Sequence, residues 1–143
     1  MREVSSPSHI ILAEDNPADV ELVREALSEH DVNYEIRVIS DGEQVLTFID
    51  GLDLDSQLGC PDLWLLDLHL PKRDGTEILE HLRASKRCSQ TPVIVFTSSD
   101  WMGNQQNVWK NADVHFFRKS ASLSQFMQLG KIVKEIVSRP QSS

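Results

Sequence analysis

The sequence predicts an α/β fold, a doubly wound five-stranded parallel sheet with five helices. Two observations carry this. Short apolar runs alternate with amphipathic stretches five times along the chain, the pattern of consecutive βα units with helices on both faces of one sheet. The runs "LWLL" (63–66) and "VIVF" (93–96) are apolar at every position. Central parallel strands, buried on both sides, require that.

Taken in order, the first strand is His9–Ala13. Asn16 is then a good N-cap, Pro17 suits the first helical position and Asp19 lies in the first turn. Val20, Leu22, Val23, Ala26 and Leu27 complete an apolar stripe, so a helix is predicted over Pro17–His30. Tyr34–Ile39 reads as the second strand and Glu43–Ile49 as the second helix. The segment "DGLDLDSQLGC" (50–60) carries three aspartates before Pro61 and reads as a surface loop. Leu63–Leu66, Val93–Phe96 and Val114–Arg118 are the remaining strands; Thr76–Ala84 and Gly103–Ala112 are the helices between them. A last helix over Ser122–Val137 is marked by Leu123, Phe126, Leu129, Val133 and Ile136. The 143 residues are read as one domain with a core over about 8–137, and "SRPQSS" as a frayed end.

A formal net charge of −8 argues against a nonspecific DNA binder, which needs a basic face. Phosphate chemistry in so acidic a chain must recruit a cation. No run approaches the roughly 20 apolar residues of a membrane span, and no secretory signal precedes Ile10. Cys60 and Cys88 lack a metal or redox spacing and read as structural or surface thiols in a reducing cytoplasm.

Ligands of open parallel sheets bind at the carboxyl ends of the strands. Glu14-Asp15 follow the first strand, Asp67-Leu68-His69 the third, Thr97-Ser98 the fourth, and the fifth ends in Lys119. Three carboxylates, a hydroxyl and an ammonium thus converge on one end of the fold. The set suits a magnesium-dependent phosphoryl acceptor. Mg²⁺ takes hard oxygen ligands and keeps several waters, so Asp15, Asp67 and the His69 carbonyl suffice, with Glu14 holding a metal-bound water. A carboxylate is a competent nucleophile toward an activated phosphoryl group, and Asp67, after the central strand, is the natural acceptor. Thr97 and Lys119 can stabilise the remaining phosphoryl oxygens.

The acidic pair Glu14-Asp15, "LLDLHLPKRDG" (65–75), "VIVFTSS" (93–99) and "FFRKS" (116–120) give the chain a resemblance, over essentially its whole length, to the receiver domains of two-component response regulators, which are flavodoxin-like. The resemblance implies that Asp67 takes phosphate from the phosphohistidine of a sensor histidine kinase. It also implies Thr97 as a switch hydroxyl and Phe116 as the switch aromatic. More narrowly, "AEDNPADVELVREAL", the acidic loop, "FTSSD" and "RKS" resemble the stand-alone receivers that serve bacterial phytochromes. Ser120 departs from the family, where proline commonly follows the lysine in a cis peptide. A cis bond before serine costs about 3 kcal/mol, so either that strain is retained or the loop is rebuilt in trans. His69 stands where asparagine is frequent, which is tolerable because only its carbonyl is asked to bind metal.

Simpler readings exist for each residue. Glu14-Asp15 could be a solvated helix-start cluster; Asp62 is an ordinary cap before its strand, and Asp74 a turn residue with Gly75 supplying permissive backbone. His9, His30, His81 and His115 are scattered and read as neither ligands nor phosphodonors. Phe116 and Phe117 alternate on the fifth strand, facing opposite sides. Trp109 and Phe117 read as core; alternatively part of the surface with Trp101 and Met102 is an apolar contact patch. Signalling then runs through an interface, with Gly103–Ala112, the fifth strand and the last helix as a homodimer face. A flavodoxin-like cofactor binder is excluded because "EDNP" offers anions and a proline where an FMN phosphate wants N–H groups. A phosphohydrolase needs an acid at the position held by His69. A phosphorylation-independent pseudo-receiver that only binds proteins is the remaining alternative.

Overall fold

The computed structural model describes residues 6–97, 114–119 and 122–138. Five parallel strands, β1 (Ser8–Ala13), β2 (Tyr34–Ile39), β3 (Leu63–Asp67), β4 (Val93–Thr97) and β5 (Val114–Arg118), form one sheet in the order β2-β1-β3-β4-β5. The helices among the described residues are α1 (Pro17–Glu29), α2 (Gly42–Leu54), α3 (Gly75–Arg83) and a last helix, Leu123–Val137. The predicted helix Gly103–Ala112, with Trp101, Met102 and Trp109, lies outside the described residues, as does the Lys119-Ser120 peptide.

Alternation along the strands divides the core into two layers. Ile11, Trp64, Leu66, Val93 and Val95 face Val45 and Ile49 of α2 and Ile78 and Leu79 of α3. Ile10, Leu12, Leu65, Ile94 and Phe96 face Val23 and Leu27 of α1 and Phe126, Leu129 and Val133 of the last helix. Phe116 packs against the first layer and Phe117 against the second, where its ring meets Phe126 at 6.0 Å between centroids. Phe117, expected in the core, is half-buried at its edge. α1 and the last helix approach so closely that a Cβ at Gly130 would lie 1.9 Å from the Ala26 carbonyl oxygen.

Side-chain caps start the helices where the sequence places them. Asn16 Oδ1 accepts from Ala18 N at 2.9 Å, Asp41 Oδ1 from Gln44 N at 2.9 Å, and Asp74 Oδ1 from Thr76 N at 2.7 Å. Asp74 is thus an N-cap. Gly75 is required for space rather than for an unusual backbone: a Cβ there would lie 2.4 Å from Leu68 Cδ2. The left-handed backbone of this turn falls instead on Lys72, with φ 74°.

Two expectations are corrected. α2 runs past Ile49 to Leu54, so only the second half of "DGLDLDSQLGC" is loop. The extra turn forms because Leu52 is buried in the first layer and Asp53 is bonded to the segment after α3, where its carboxylate accepts from Ser85 Oγ at 2.7 Å and Lys86 N at 3.0 Å. Cys60 and Cys88 are not separate thiols. They are joined as a disulfide with Cα atoms 5.6 Å apart, a pairing of segments 28 residues apart that sequence spacing does not announce.

Candidate functional site

The strand order reverses between β1 and β3, and there the carboxyl ends of the strands open a crevice. Registers Ala13↔Leu66, Asp67↔Phe96 and Thr97↔Arg118 bring Glu14, Asp67, Thr97 and Lys119 level with one another. Glu14 continues β1: its N–H donates to the Ile39 carbonyl at 3.1 Å, which turns its side chain inward, 1% exposed. Asp15, one residue on, is exposed. Asp67 ends β3 at 4% exposure, and its Oδ1 accepts from His69 N at 3.0 Å. Beyond it, Leu68 and Leu70 are buried while His69 is exposed. Gly75 N donates to the Leu68 carbonyl at 3.2 Å and Gly42 N to the Pro71 carbonyl at 2.9 Å, tying this turn to α3 and α2.

Lys119 reaches in from the end of β5. Its N–H donates to the Thr97 carbonyl at 2.9 Å, and its ammonium lies 4.8 Å above the Phe96 ring. Nζ donates to Asp19 at 2.7 Å, Glu14 at 2.9 Å and Asp67 at 3.4 Å. Thr97 is wholly buried beside it. Phe116 is half-buried on β5, paired in register with Val95.

The electrostatics follow from this arrangement. Burial pushes the Glu14 carboxyl up to about 7, against the opposing pull of the bonds from Lys119 and Asn16 N and with the help of the Asp67 charge. Burial also works against the Lys119 ammonium, yet the hydrogen bonds to Asp19 and Glu14 outweigh it and raise the group to about 12. The cation is firmly charged, and the excess negative charge is felt at Glu14. Carboxylate oxygens of Glu14, Asp15 and Asp67 all lie within 4.8 Å of one another. Three hard carboxylate oxygens gathered in one crevice are the donor type that Mg²⁺ takes, so the residues present fit such an ion.

Every residue expected at this site stands at the carboxyl end of the sheet, with Phe116 on the flank of β5. Asp19 was missed, although it makes the shortest contact to Lys119. The signal was its place in the first turn of α1, the helix that starts two residues after Asp15.

The chain matches the response regulator receiver domain over residues 10–130. It is 31% identical over 130 residues to response regulator Rcp1 of Synechocystis sp., covering 89% of this chain and 86% of that protein. The structure of the phosphorylated cyanobacterial phytochrome response regulator RcpA superposes with a TM-score of 0.73 at 32% identity, over 91% of this chain and 93% of that one. The Mn(2+)-bound form of Rcp1 gives a TM-score of 0.78 at 26% identity, over 96% of this chain and all (100%) of that one. Among the described residues no helix is long and apolar enough to cross a membrane.

Proposed function

The chain belongs to the response regulator receiver family, and on that premise we propose that Asp67 accepts a phosphoryl group from the phosphohistidine of a sensor histidine kinase. The likeness to Rcp1 and RcpA, the second described as a phytochrome response regulator, favours a bacteriophytochrome as that kinase. The single observation that carries the reading is the convergence of Glu14 and Asp67, from two strand ends, within hydrogen-bonding distance of the Lys119 ammonium, from a third.

Asp15, Asp67 and the His69 carbonyl would hold Mg²⁺, with Glu14 behind them. The ion would supply positive charge to offset the acids and to stabilise one phosphoryl oxygen. A carboxylate oxygen of Asp67 attacks phosphorus, the P–N bond of the donor breaks, and the released imidazole takes a proton from solvent. Thr97 donates to a second phosphoryl oxygen and Lys119 pairs with a third. The chemistry is confined to gaining and hydrolysing this group; turnover of a separate substrate is not required. Thr97 moving toward the phosphoryl group, with Phe116 filling the space behind, alters the outer surface of β5. That surface, with 103–112 and the last helix, is the proposed homodimer face. The module is a single receiver with its core over about 8–137, cytoplasmic, and without affinity for nucleic acid or membrane.

The test is incubation of wild type and Asp67→Asn with a small phosphodonor, with and without Mg²⁺. Metal-dependent, acid-labile phosphate on wild type alone is expected. Equal labelling of both proteins overturns Asp67 as acceptor; labelling of neither leaves a phosphorylation-independent binding module.

A further inference from the structure

The disulfide lies far from the chemistry just described. Cys60 precedes β3 and Cys88 precedes β4, at the amino ends of the strands, whereas Asp67 and Thr97 close their carboxyl ends. The sulfurs differ in environment: Cys88 is 1% exposed within the α2–α3 layer, while Cys60 is half-buried at the rim.

A second set of bonds holds the same two segments together without the sulfurs. The Arg87 guanidinium donates to the carbonyls of Leu52, of Asp55 at 2.9 Å, of Ser56 at 3.4 Å and of Leu58 at 2.6 Å. In return Asp53 accepts from Ser85 Oγ, from Lys86 N and from Arg87 N at 3.1 Å. Ser85 Oγ in turn accepts from Cys88 N at 3.0 Å. When the S–S bond opens, these ties keep the two cysteines facing each other at high effective concentration.

We propose that Cys60 and Cys88 form a reversible thiol–disulfide exchange site for small thiols and disulfides, Cys60 meeting the external reagent and Cys88 resolving it. Oxidation begins with the Cys60 thiolate attacking a disulfide RSSR, forming a Cys60–SR mixed disulfide and releasing RS⁻. Cys88 then loses its proton to solvent, and its sulfur attacks Cys60 Sγ and expels the second RS⁻. Two cysteine thiols are oxidised and one RSSR is reduced to two RSH. Reduction retraces the path, the external thiolate attacking the more accessible Cys60 sulfur. Disulfides in a reducing compartment are usually transient, and the Arg87–Asp53 ties suit such a life because the fold does not depend on the bond. The closed form adds a cross-link over a 28-residue separation that contains β3, Asp67 and α3.

The experiment equilibrates the full chain across ratios of reduced to oxidised glutathione and counts free thiols by alkylation and mass spectrometry. Wild type should pass from two free thiols to an internal disulfide. The midpoint of thermal unfolding should be higher by roughly 10 °C in the oxidised form. Under oxidised glutathione, Cys88→Ala should trap the mixed disulfide on Cys60, whereas Cys60→Ala should accumulate it several-fold more slowly on Cys88. Phosphorylation by a small phosphodonor should proceed in both redox forms, so this outcome is independent of the acceptor assignment. Failure to form the internal disulfide at any ratio, the same melting midpoint in both forms of wild type, or faster capture on Cys88 would overturn the proposal. The wild-type comparison stands even if a variant folds poorly.

Discussion

The carboxyl and amino ends of the sheet treat charge in opposite ways. At the carboxyl end one ammonium, Lys119, answers to Asp19, Glu14 and Asp67, with Asp15 close by. At the amino end Asp53 receives three donors from the segment after α3, and Arg87 supplies donors to four carbonyls, one in the last turn of α2 and three in the segment after it. The titration of the two carboxyls records the difference. Asp53 is held below its ordinary value, chiefly by the Ser85 hydroxyl and the Lys86 N–H, whereas burial drives Glu14 up to about 7. A polar network with matched donors and acceptors fastens two segments together. One left short of positive charge has room for a cation and a phosphoryl group.

The sharpest way to break the comparison is Asp67→Asn, which should abolish phosphorylation while circular dichroism and the melting transition still report a folded protein. Lys119→Ala should come next. At pH 8 without Mg²⁺ it leaves Glu14 and Asp67 buried without their cation and should cost roughly 3 kcal/mol in denaturant unfolding, part of it recovered on adding Mg²⁺. Equal unfolding midpoints for wild type and variant would mean that the acids are relieved in some other way. Arg87→Ala acts at the other end and should cost about 1 kcal/mol through lost hydrogen bonds, with the rate of phosphorylation by a small donor unchanged. A slowed rate would show that the two ends are coupled.

The smallest effects are those of pH, and their signs oppose. Glu14 in the native protein keeps its proton up to about 7, while the unfolded chain releases it near 4.5. Its contribution to stability is full below 4.5 and declines as pH rises through 7. Mg²⁺ binding competes with that proton, so affinity measured by calorimetry should strengthen as pH rises through about 7. Asp53 behaves conversely: its contribution is present above 3.8 and is lost as pH falls through its lower native value. Unfolding curves of Glu14→Gln and Asp53→Asn across pH would separate the two; a metal affinity flat with pH would remove Glu14 from the metal site.

Much of this molecule was legible in its sequence, and particular residues show why. The strands, the cap at Asn16, and the acids after β1 and β3 follow from patterns only a few residues long. Backbone preference, capping and alternation are local, so residues such as Asp67 and Thr97 could be placed at strand ends without knowing which strand lies beside which. The sequence by itself therefore determined the order of elements, the kind of sheet and the end at which chemistry collects. Tertiary structure decided the rest: the extra turn of α2, the Cys60–Cys88 bond, and the bonds of Lys119 to Glu14 and Asp19, which span 105 and 100 residues. Those pairings depend on the β2-β1-β3-β4-β5 order and on how far each side chain reaches across it, and short-range periodicity carries no record of either.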